Sequence, residues 1–187
     1  MDLGRVFRRL SGALDSSATP YMLTGSFASS YYEALRSTQG IDIVIAPNPE
    51  QLRSLVHYLQ QHEYYAENDA AVLAYGEQSM FNALDDETGW KIDFIFRKSR
   101  AFSLEEFRRR KAIAFEGVPL FVATAEDVIL AKLEWAKMGE SHRQLEDATI
   151  VLKKQRDSLD RPYVEKWVKE LGLSSEWDRA RKLAGVE

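Results

Sequence analysis

The sequence has no cysteine among its 187 residues, which excludes disulfide bridges, zinc sites built on thiolates and cysteine nucleophiles. It also lacks any stretch approaching the roughly 20 apolar residues that cross a bilayer. The segment Met1–Arg5 has no apolar run of the kind that forms a signal peptide. We therefore expect a cytoplasmic protein that makes no membrane contact.

Cationic residues are outnumbered, since the chain has 25 lysines and arginines against 29 aspartates and glutamates, for a net charge of −4. This balance argues against broad, nonspecific binding to nucleic acid, which depends on a cationic surface. The run Arg108-Arg109-Arg110-Lys111 is a local exception and a candidate basic patch. Apolar residues make up 45% of the chain, a proportion typical of a globular fold.

The periodicity of the apolar residues predicts a mixed first part followed by helices. The predicted helices are 2–17, 27–35, 50–61, 103–110, 125–138, 141–155, 160–171 and 174–184, and the predicted strands are 21–23, 41–46, 78–84, 90–96 and 118–122. We therefore expect an α+β fold in which a small mixed sheet, flanked by helices, occupies residues 1–122. A C-terminal helical region, residues 123–187, would pack on this core.

A short glycine-containing turn, Thr24-Gly25-Ser26, separates a predicted strand from a predicted helix. Glycine lets the backbone approach a ligand closely, and the first N–H groups of a helix can bind an anion. Gly25 and Ser26 are therefore candidate phosphate-binding residues. An ordinary strand-to-helix turn can have the same dipeptide, so this signal has weight only together with others.

Two aspartates interrupt otherwise apolar predicted strands: Asp42 in the strand that follows Gly40, and Asp93 in the strand that follows Trp90. Aspartate is a poor strand former, and a buried carboxylate needs a partner. A divalent cation would be the simplest partner for both. Mg²⁺ suits this role because it binds carboxylate oxygens and keeps positions for water and phosphate. The alternative is that each aspartate faces solvent from a half-exposed strand.

Three charged residues in the predicted C-terminal helices are further candidates. Lys132 lies in or beside an apolar row of its helix. It is either a lysine that extends to solvent at a helix border or a cation directed at a triphosphate. Arg143 and Asp147 lie one turn apart on the next helix. As a surface ion pair they would have the weaker orientation and would contribute about 0.3 kcal/mol.

The order of these features resembles the DNA polymerase β-type nucleotidyltransferase superfamily, in which a Gly-Ser turn and a helix precede two aspartate-bearing strands. The segments Glu126–Trp135 and Arg143–Asp147 resemble the third and fourth motifs of its AbiEii-type group. That group includes toxins of bacterial toxin–antitoxin and phage-defence systems. The resemblance extends from about residue 20 to about residue 155.

This resemblance implies a reaction: transfer of a nucleotide from a nucleoside triphosphate to an acceptor hydroxyl or phosphate, with release of pyrophosphate. It implies that Asp42 and Asp93 bind Mg²⁺, with two ions holding the triphosphate and activating the acceptor oxygen. The implied acceptor is an RNA, such as a tRNA, or a protein. An antitoxin protein would be a further partner.

The resemblance also assigns roles to the remaining candidates. Gly25 and Ser26 would bind phosphates, and Lys132 would neutralise the charge of the triphosphate. Arg143 would contribute to nucleotide binding, and Asp147 would assist the acceptor or orient that arginine.

One position departs from the family pattern. The first acidic strand usually carries Asp-hydrophobic-Asp, whereas this chain has Gly40-Ile41-Asp42. Residues 40 and 42 share a strand face, so the missing carboxylate would have joined Asp42 at the same ion. Its loss would weaken the Mg²⁺ site, and we expect weak or absent transferase activity. Glycine also suits the turn that precedes this strand, and both explanations can hold together.

Three functions therefore remain open from the sequence. The first is a nucleotidyltransferase, which would be a candidate toxin-like enzyme. The second is a degenerate member of the superfamily that binds a nucleotide or a partner without catalysing a reaction, and Gly40 favours this alternative. The third alternative is an unrelated α+β interaction module in which the acidic strands are incidental.

Overall fold

A computed structural model of the chain describes residues 3–32, 40–139 and 141–186. The chain forms two compact units. The first comprises Met1–Thr24 and Thr38–Val122, and the second comprises Gly25–Ser37 and Ala123–Glu187. Every helix among the described residues is too short or too polar to cross a lipid bilayer.

A mixed β-sheet of seven strands forms the centre of the first unit. In chain order the strands are β1 (Tyr21–Leu23), β2 (Gly40–Ile45), β3 (Tyr64–Ala66), β4 (Met80–Asp85), β5 (Lys91–Phe96), β6 (Lys111–Phe115) and β7 (Val118–Val122). In space their order is β3-β4-β5-β2-β1-β7-β6. The pairs β2–β5 and β1–β7 are parallel, and the other neighbours are antiparallel. The predicted α+β class with a mixed sheet is confirmed.

The helices divide between the two units. In chain order they are α1 (Leu3–Ser16), α2 (Gly25–Tyr31), α3 (Pro49–Gln61), α4 (Asn68–Glu77), α5 (Ala101–Arg109), α6 (Ala125–Gly139), α7 (His142–Gln155), α8 (Arg161–Glu170) and α9 (Ser174–Ala184). Helices α1, α3, α4 and α5 belong to the first unit, and α2 and α6 to α9 belong to the second.

The central strands β2 and β5 have one fully buried face because their apolar residues alternate with others. Ile41, Ile43 and Ile45 are buried from β2, as are Ile92, Phe94 and Phe96 from β5. The intervening residues, among them Asp42 and Asp93, point to the opposite face and are half-buried. Burial of one face therefore fixes the direction of both carboxylates.

A buried carboxylate fastens helix α1 to the β4–β5 hairpin in the first unit. Asp85 is fully buried and accepts two hydrogen bonds from the guanidinium of Arg9, both at 3.0 Å. It also accepts the Thr88 hydroxyl at 2.8 Å and the Glu87 N–H at 3.1 Å. Because each oxygen has a donor, the charge is compensated where water is excluded.

Hydrogen bonds at the start of α6 and buried tryptophans of α8 and α9 stabilise the helices of the second unit. Thr124 caps α6, since its hydroxyl accepts the Asp127 N–H at 3.3 Å and donates to the Asp127 carboxylate at 2.6 Å. The hydroxyl of Tyr163 on α8 donates to the other oxygen of Asp127 at 2.6 Å. Trp167 and Trp177 are buried in α8 and α9. The Thr-x-x-Asp spacing is typical of a helix N-terminus.

Three elements were not predicted: β3, α4 and β6. The first helix of the second unit, α2, begins at Gly25, two residues earlier than expected, and its predicted residues 33–35 lie outside the described part of the chain. The other predicted helices and strands are confirmed within a few residues of their expected bounds.

Candidate active site

The two candidate metal ligands of the first unit lie side by side. Asp42 on β2 and Asp93 on β5 are direct register partners in a parallel strand pair. Register partners project from the same face of a sheet, and neighbouring strands lie about 4.8 Å apart. The two carboxylates are therefore close enough for both to reach a single divalent ion.

The same row of the sheet contributes a third oxygen-bearing side chain. Asn82 on β4 is the register partner of Asp93 on its other side and is exposed. Carboxylate and amide oxygens are hard donors of the kind that Mg²⁺ prefers, and Mg²⁺ commonly uses one or two carboxylates together with substrate phosphates. The described residues contain no cluster of three or more histidine, cysteine, aspartate or glutamate side chains that could hold a metal. This donor set therefore fits one ion that a triphosphate helps to hold.

A lysine of the chain already lies at this carboxylate pair. Lys91 Nζ is 2.8 Å from Asp93 Oδ1, with the lysine side chain 52% exposed and the aspartate 17%. The two residues are two apart on β5 and therefore share a face. Because the ammonium neutralises part of the negative charge that would attract a cation, Lys91 opposes metal binding at Asp93.

Gly40 lies directly beside this lysine, as the register partner of Lys91. Its φ is not in the left-handed region, where glycines 25, 89, 117, 172 and 185 lie. Among the described residues, a Cβ atom added at Gly40 would meet only the carbonyl oxygen of Lys91, at an ordinary van der Waals distance of 3.8 Å. The backbone of β2 therefore does not require glycine here, and a larger side chain fits at this position.

The predicted phosphate turn begins where strand β1 ends. The N–H of Thr24 donates to the carbonyl of Asp42 at 3.0 Å, which extends the β1–β2 ladder to the residue before Gly25. Gly25 has a φ of 60°, in the region that favours glycine. It starts α2, where the hydroxyl of Ser29 donates to its carbonyl at 2.9 Å. The positive φ therefore explains why residue 25 is glycine. Phosphate binding by Gly25 and Ser26 stays a prediction.

Lys132 and Asp147 form a buried ion pair inside the second unit. Lys132 Nζ lies 3.0 Å from Asp147 Oδ2, with side-chain exposures of 6% and 2%. The pair joins α6 to α7. The lysine neither extends to solvent nor stands alone, and its role toward a triphosphate stays a prediction.

Arg143 lies apart from this pair. It is exposed in the first turn of α7, and among the described residues the ion-pair partner of Asp147 is Lys132 on the neighbouring helix. A surface ion pair of Arg143 with Asp147 was the alternative to a functional role for these residues, and the ion pair that the structure gives Asp147 joins it to Lys132 on α6. The predicted contribution of Arg143 to nucleotide binding has no counterpart among the described contacts and stays a prediction.

Sequence reasoning did not single out Asn82 or Lys91. For Lys91 a signal was present, because the alternation of Lys91, Ile92 and Asp93 already put the lysine and the aspartate on one strand face. For Asn82 the local sequence pattern gave no indication, because its place beside Asp93 depends on the register of the hairpin.

The fold of the chain is similar to that of nucleotidyltransferases of known structure. A solution structure of the antibiotic-resistance factor ANT(2'')-Ia matches with a TM-score of 0.59 and 15% identity, over 97% of this chain and 97% of that one. A crystal structure of ANT(2'')-Ia in complex with adenylyl-2''-tobramycin matches with a TM-score of 0.56 and 13% identity, over 94% and 97% of the two chains.

A nucleotidyltransferase-like protein from Paracoccidioides brasiliensis also matches, with a TM-score of 0.56 and 13% identity, over 96% of this chain and 91% of that one. No protein-family model and no curated protein matches the sequence. The chain therefore has a nucleotidyltransferase-like fold.

Proposed function

We propose that this chain is a nucleotidyltransferase-like protein that binds a nucleoside triphosphate with Mg²⁺ and transfers its nucleotide weakly to an acceptor. The observation that carries the proposal is the pair Asp42 and Asp93, in register on one face of a sheet with this fold. An incidental pair of strand aspartates has no reason to share a row, because like charges on adjacent strands destabilise a sheet.

In this proposal Asp42 and Asp93 hold the metal ion, with Asn82 as a further oxygen donor. When bound, the ion supplies charge neutralisation for the triphosphate and acidifies an acceptor oxygen. From the family resemblance, Gly25 and Ser26 contact phosphates, and Lys132, Arg143 and Asp147 serve the nucleotide and acceptor.

We further propose an RNA or protein acceptor and an AbiEii-like role in a toxin–antitoxin or phage-defence system of the cytoplasm, with an antitoxin as partner. The support for this is the resemblance of Glu126–Trp135 and Arg143–Asp147 to the motifs of that group. The alternative is a catalytically degenerate domain that binds a nucleotide or a partner. Gly40 and the Lys91–Asp93 ion pair favour this alternative, because each lowers the negative charge available to a metal.

Replacing Asp42 by alanine is expected to weaken Mg²⁺-dependent binding of a nucleoside triphosphate about tenfold, since it removes half of the carboxylate charge. Titration calorimetry with each of the four triphosphates, with and without Mg²⁺, measures this. Asp86→Ala, in the β4–β5 turn of the same unit, is the matched control. Equal Mg²⁺-dependent affinity in wild type and Asp42→Ala would contradict the proposed function.

Replacing Lys91 by methionine is expected to raise the affinity of the first unit for Mn²⁺ about threefold, because a half-exposed ion pair of this kind contributes up to about 1 kcal/mol. Electron paramagnetic resonance of free Mn²⁺ measures this without any need for turnover. Lys98→Met, a change of the same charge beyond the end of β5, is the control. An unchanged affinity in Lys91→Met would show that the ammonium does not compete with the metal.

A further inference from the structure

Positive charge is concentrated in one segment of the first unit. Seven of the 15 residues from Arg97 to Lys111 are cationic and two are acidic, in a chain whose net charge is −4. The segment begins directly after β5 and includes all of α5 and the first residue of β6. A local field of this sign attracts anions although the whole chain repels them.

Two of these cations, Arg97 and Arg110, pack against the same aromatic ring, and neither has an acidic partner among the described residues. Both guanidinium groups pack against the ring of Phe107, Arg97 at 5.2 Å and Arg110 at 4.4 Å from its centroid. By contrast, Arg108 in the same run is neutralised by Glu105, with nitrogen–oxygen distances of 2.9 and 2.6 Å. Within the run Arg108-Arg109-Arg110-Lys111, the charge of Arg108 is therefore compensated, whereas Arg110 has no ion-pair partner among the described residues.

This arrangement is costly without a ligand. Among the described residues neither Arg97 nor Arg110 has an ion-pair partner, and the Nε–H of each is buried without a hydrogen-bond acceptor. Burial, and after it the charge of Arg97, lower the pKa of Arg110. Buried donors without acceptors are rare and cost free energy. The Arg110 guanidinium already donates one hydrogen bond, from Nη1 to the Phe107 carbonyl at 2.7 Å. An anion that contacts both guanidinium groups would supply acceptors for the remaining N–H groups and the missing charge.

An exposed aromatic ring extends the cluster to the surface. The guanidinium of Arg110 lies 5.1 Å from the ring centroid of Phe121, which also packs edge-to-face on Tyr21 at 5.7 Å. Phe121 is nevertheless 40% exposed on β7. A ring that can stack on a base, next to cations that can contact phosphates, is the combination by which proteins bind single-stranded nucleic acid.

Arg97 connects this cluster to the candidate metal site within the first unit. The N–H of Arg97 donates to the carbonyl of Ile45 at 2.9 Å, which continues the β2–β5 ladder by one residue. Arg97 therefore shares a sheet face with Asp93, four residues and about 13 Å away along the strand. It also lines an open pocket of about 410 Å³ with Gln78 and Ser99, so that a ligand can reach it from solvent.

We propose that Arg97, Arg110 and Phe121 form a binding site for single-stranded nucleic acid, with the arginines on phosphates and the ring on a base. The further statement that this strand is the acceptor rests on the proposed transferase function, whereas the binding itself does not. Amine-rich acceptors such as the tobramycin moiety in the ANT(2'')-Ia complex would be repelled by the same cluster.

The test is fluorescence anisotropy with labelled single-stranded RNA and DNA 20-mers, titrated with the full chain at several salt concentrations. Arg97→Gln and Arg110→Gln are each expected to weaken binding about tenfold and to reduce the slope of log affinity against log salt by about 0.7. Phe121→Ala is expected to weaken binding about tenfold with an unchanged slope, because stacking releases no counterions. Arg53→Gln, an exposed arginine on α3 of the same unit, is expected to behave as wild type.

Three results would overturn the proposal. The first is no binding of either oligonucleotide by the wild-type chain at low salt, and the second is arginine variants with the wild-type slope and affinity. The third is a chain that binds inorganic phosphate in a ³¹P titration but neither oligonucleotide. Arg97→Lys and Arg110→Lys keep the charge, and are expected to retain the slope while losing affinity, which guards against a variant that fails to fold. Asp42→Ala is expected to retain nucleic-acid binding while losing Mg²⁺-dependent triphosphate binding. Failure of the proposed function is thereby distinguishable from failure of this site.

Discussion

Replacing Gly40 by aspartate is expected to raise the affinity of the first unit for Mn²⁺ about tenfold and the rate of nucleotide transfer about a hundredfold. The new carboxylate would lie on the same strand face as Asp42, two residues away. It would join Asp42 and Asp93 as a third anionic donor, where the described residues offer no group of three. The number of negatively charged ligands strongly affects the affinity of a site for a hard cation.

The backbone permits this change. Within the part of the chain that the structure describes, a Cβ at residue 40 meets only the Lys91 carbonyl oxygen at 3.8 Å, and the position is outside the left-handed region of φ. If the metal site of the glycine form is weak, as proposed, the cause is therefore missing charge and not a backbone that excludes a carboxylate. The substitution is expected to leave thermal stability within about 0.5 kcal/mol of the wild-type value.

Lys91 limits the gain from this substitution. As register partner of Gly40 and ion-pair partner of Asp93, its ammonium would be shared between the old and the new carboxylate. The double variant Gly40→Asp/Lys91→Met is therefore expected to bind Mn²⁺ more tightly than the product of the two single effects. A double-mutant cycle on Mn²⁺ affinity measures this coupling directly.

Gly40→Asn is the matched control, because it has the shape of aspartate without the charge. Mn²⁺ affinity from paramagnetic resonance and nucleotide transfer from labelled triphosphates are the two measurements. If the asparagine variant gains as much as the aspartate variant, or if Gly40→Asp gains nothing while the glycine form is fully active, the assignment of Asp42 and Asp93 to a metal site is wrong.

The elements that sequence reasoning predicted are those with a periodic apolar face. Strands β2 and β5 alternate so regularly that the burial of Ile41, Ile43 and Ile45 could be inferred. Of the three missed elements, β3 is only three residues long, with Tyr64 and Ala66 buried, and α4 and β6 have no periodic buried face. Helix α4 is consecutively apolar over residues 70–74, yet Val72 and Leu73 are exposed and only alanines 71 and 74 are buried. Strand β6 is an edge strand without a buried residue.

Only those features of the candidate site that depend on neighbouring residues in the sequence could be predicted. Alternation placed Gly40 and Asp42 on one face, but the register that aligns Asp42 with Asp93 joins strands separated by 51 positions in the chain. Two helices and two strands intervene between them. Such pairing depends on the twist and packing of the whole sheet, and a one-residue slip would have separated the carboxylates.

The same limit explains the partner of Asp147. The spacing of neighbours on one helix offered Arg143 at i−4 as a weak surface ion-pair partner, an alternative to the functional role, and the structure pairs Asp147 with Lys132 from the preceding helix. Asp147 is 2% exposed, and a buried carboxylate is stabilised by a cation that is also buried. Arg143, exposed in the first turn of α7, does not meet that condition, and the local rule did not include burial.

Replacing Lys132 by methionine is accordingly expected to destabilise the second unit by about 3–5 kcal/mol, because the buried Asp147 carboxylate would lose its ion pair with this lysine. Asp147→Leu is expected to cost a similar amount by leaving the ammonium unpaired. The double variant Lys132→Met/Asp147→Leu replaces the pair by apolar groups and is expected to lie within about 1 kcal/mol of wild type. Urea unfolding of the full chain measures all three.

The surface pair Arg156 and Asp157 supplies the control, since its atoms lie 3.5 Å apart with side chains 57% and 91% exposed. Arg156→Met is expected to change stability by less than about 0.5 kcal/mol. A double variant as unstable as either single variant would contradict the ion-pair explanation. If the double variant folds and also keeps Mg²⁺-dependent triphosphate binding, Lys132 serves the helix pair and not the nucleotide. If it folds and loses that binding, the role that the resemblance assigns to Lys132 gains its first direct support.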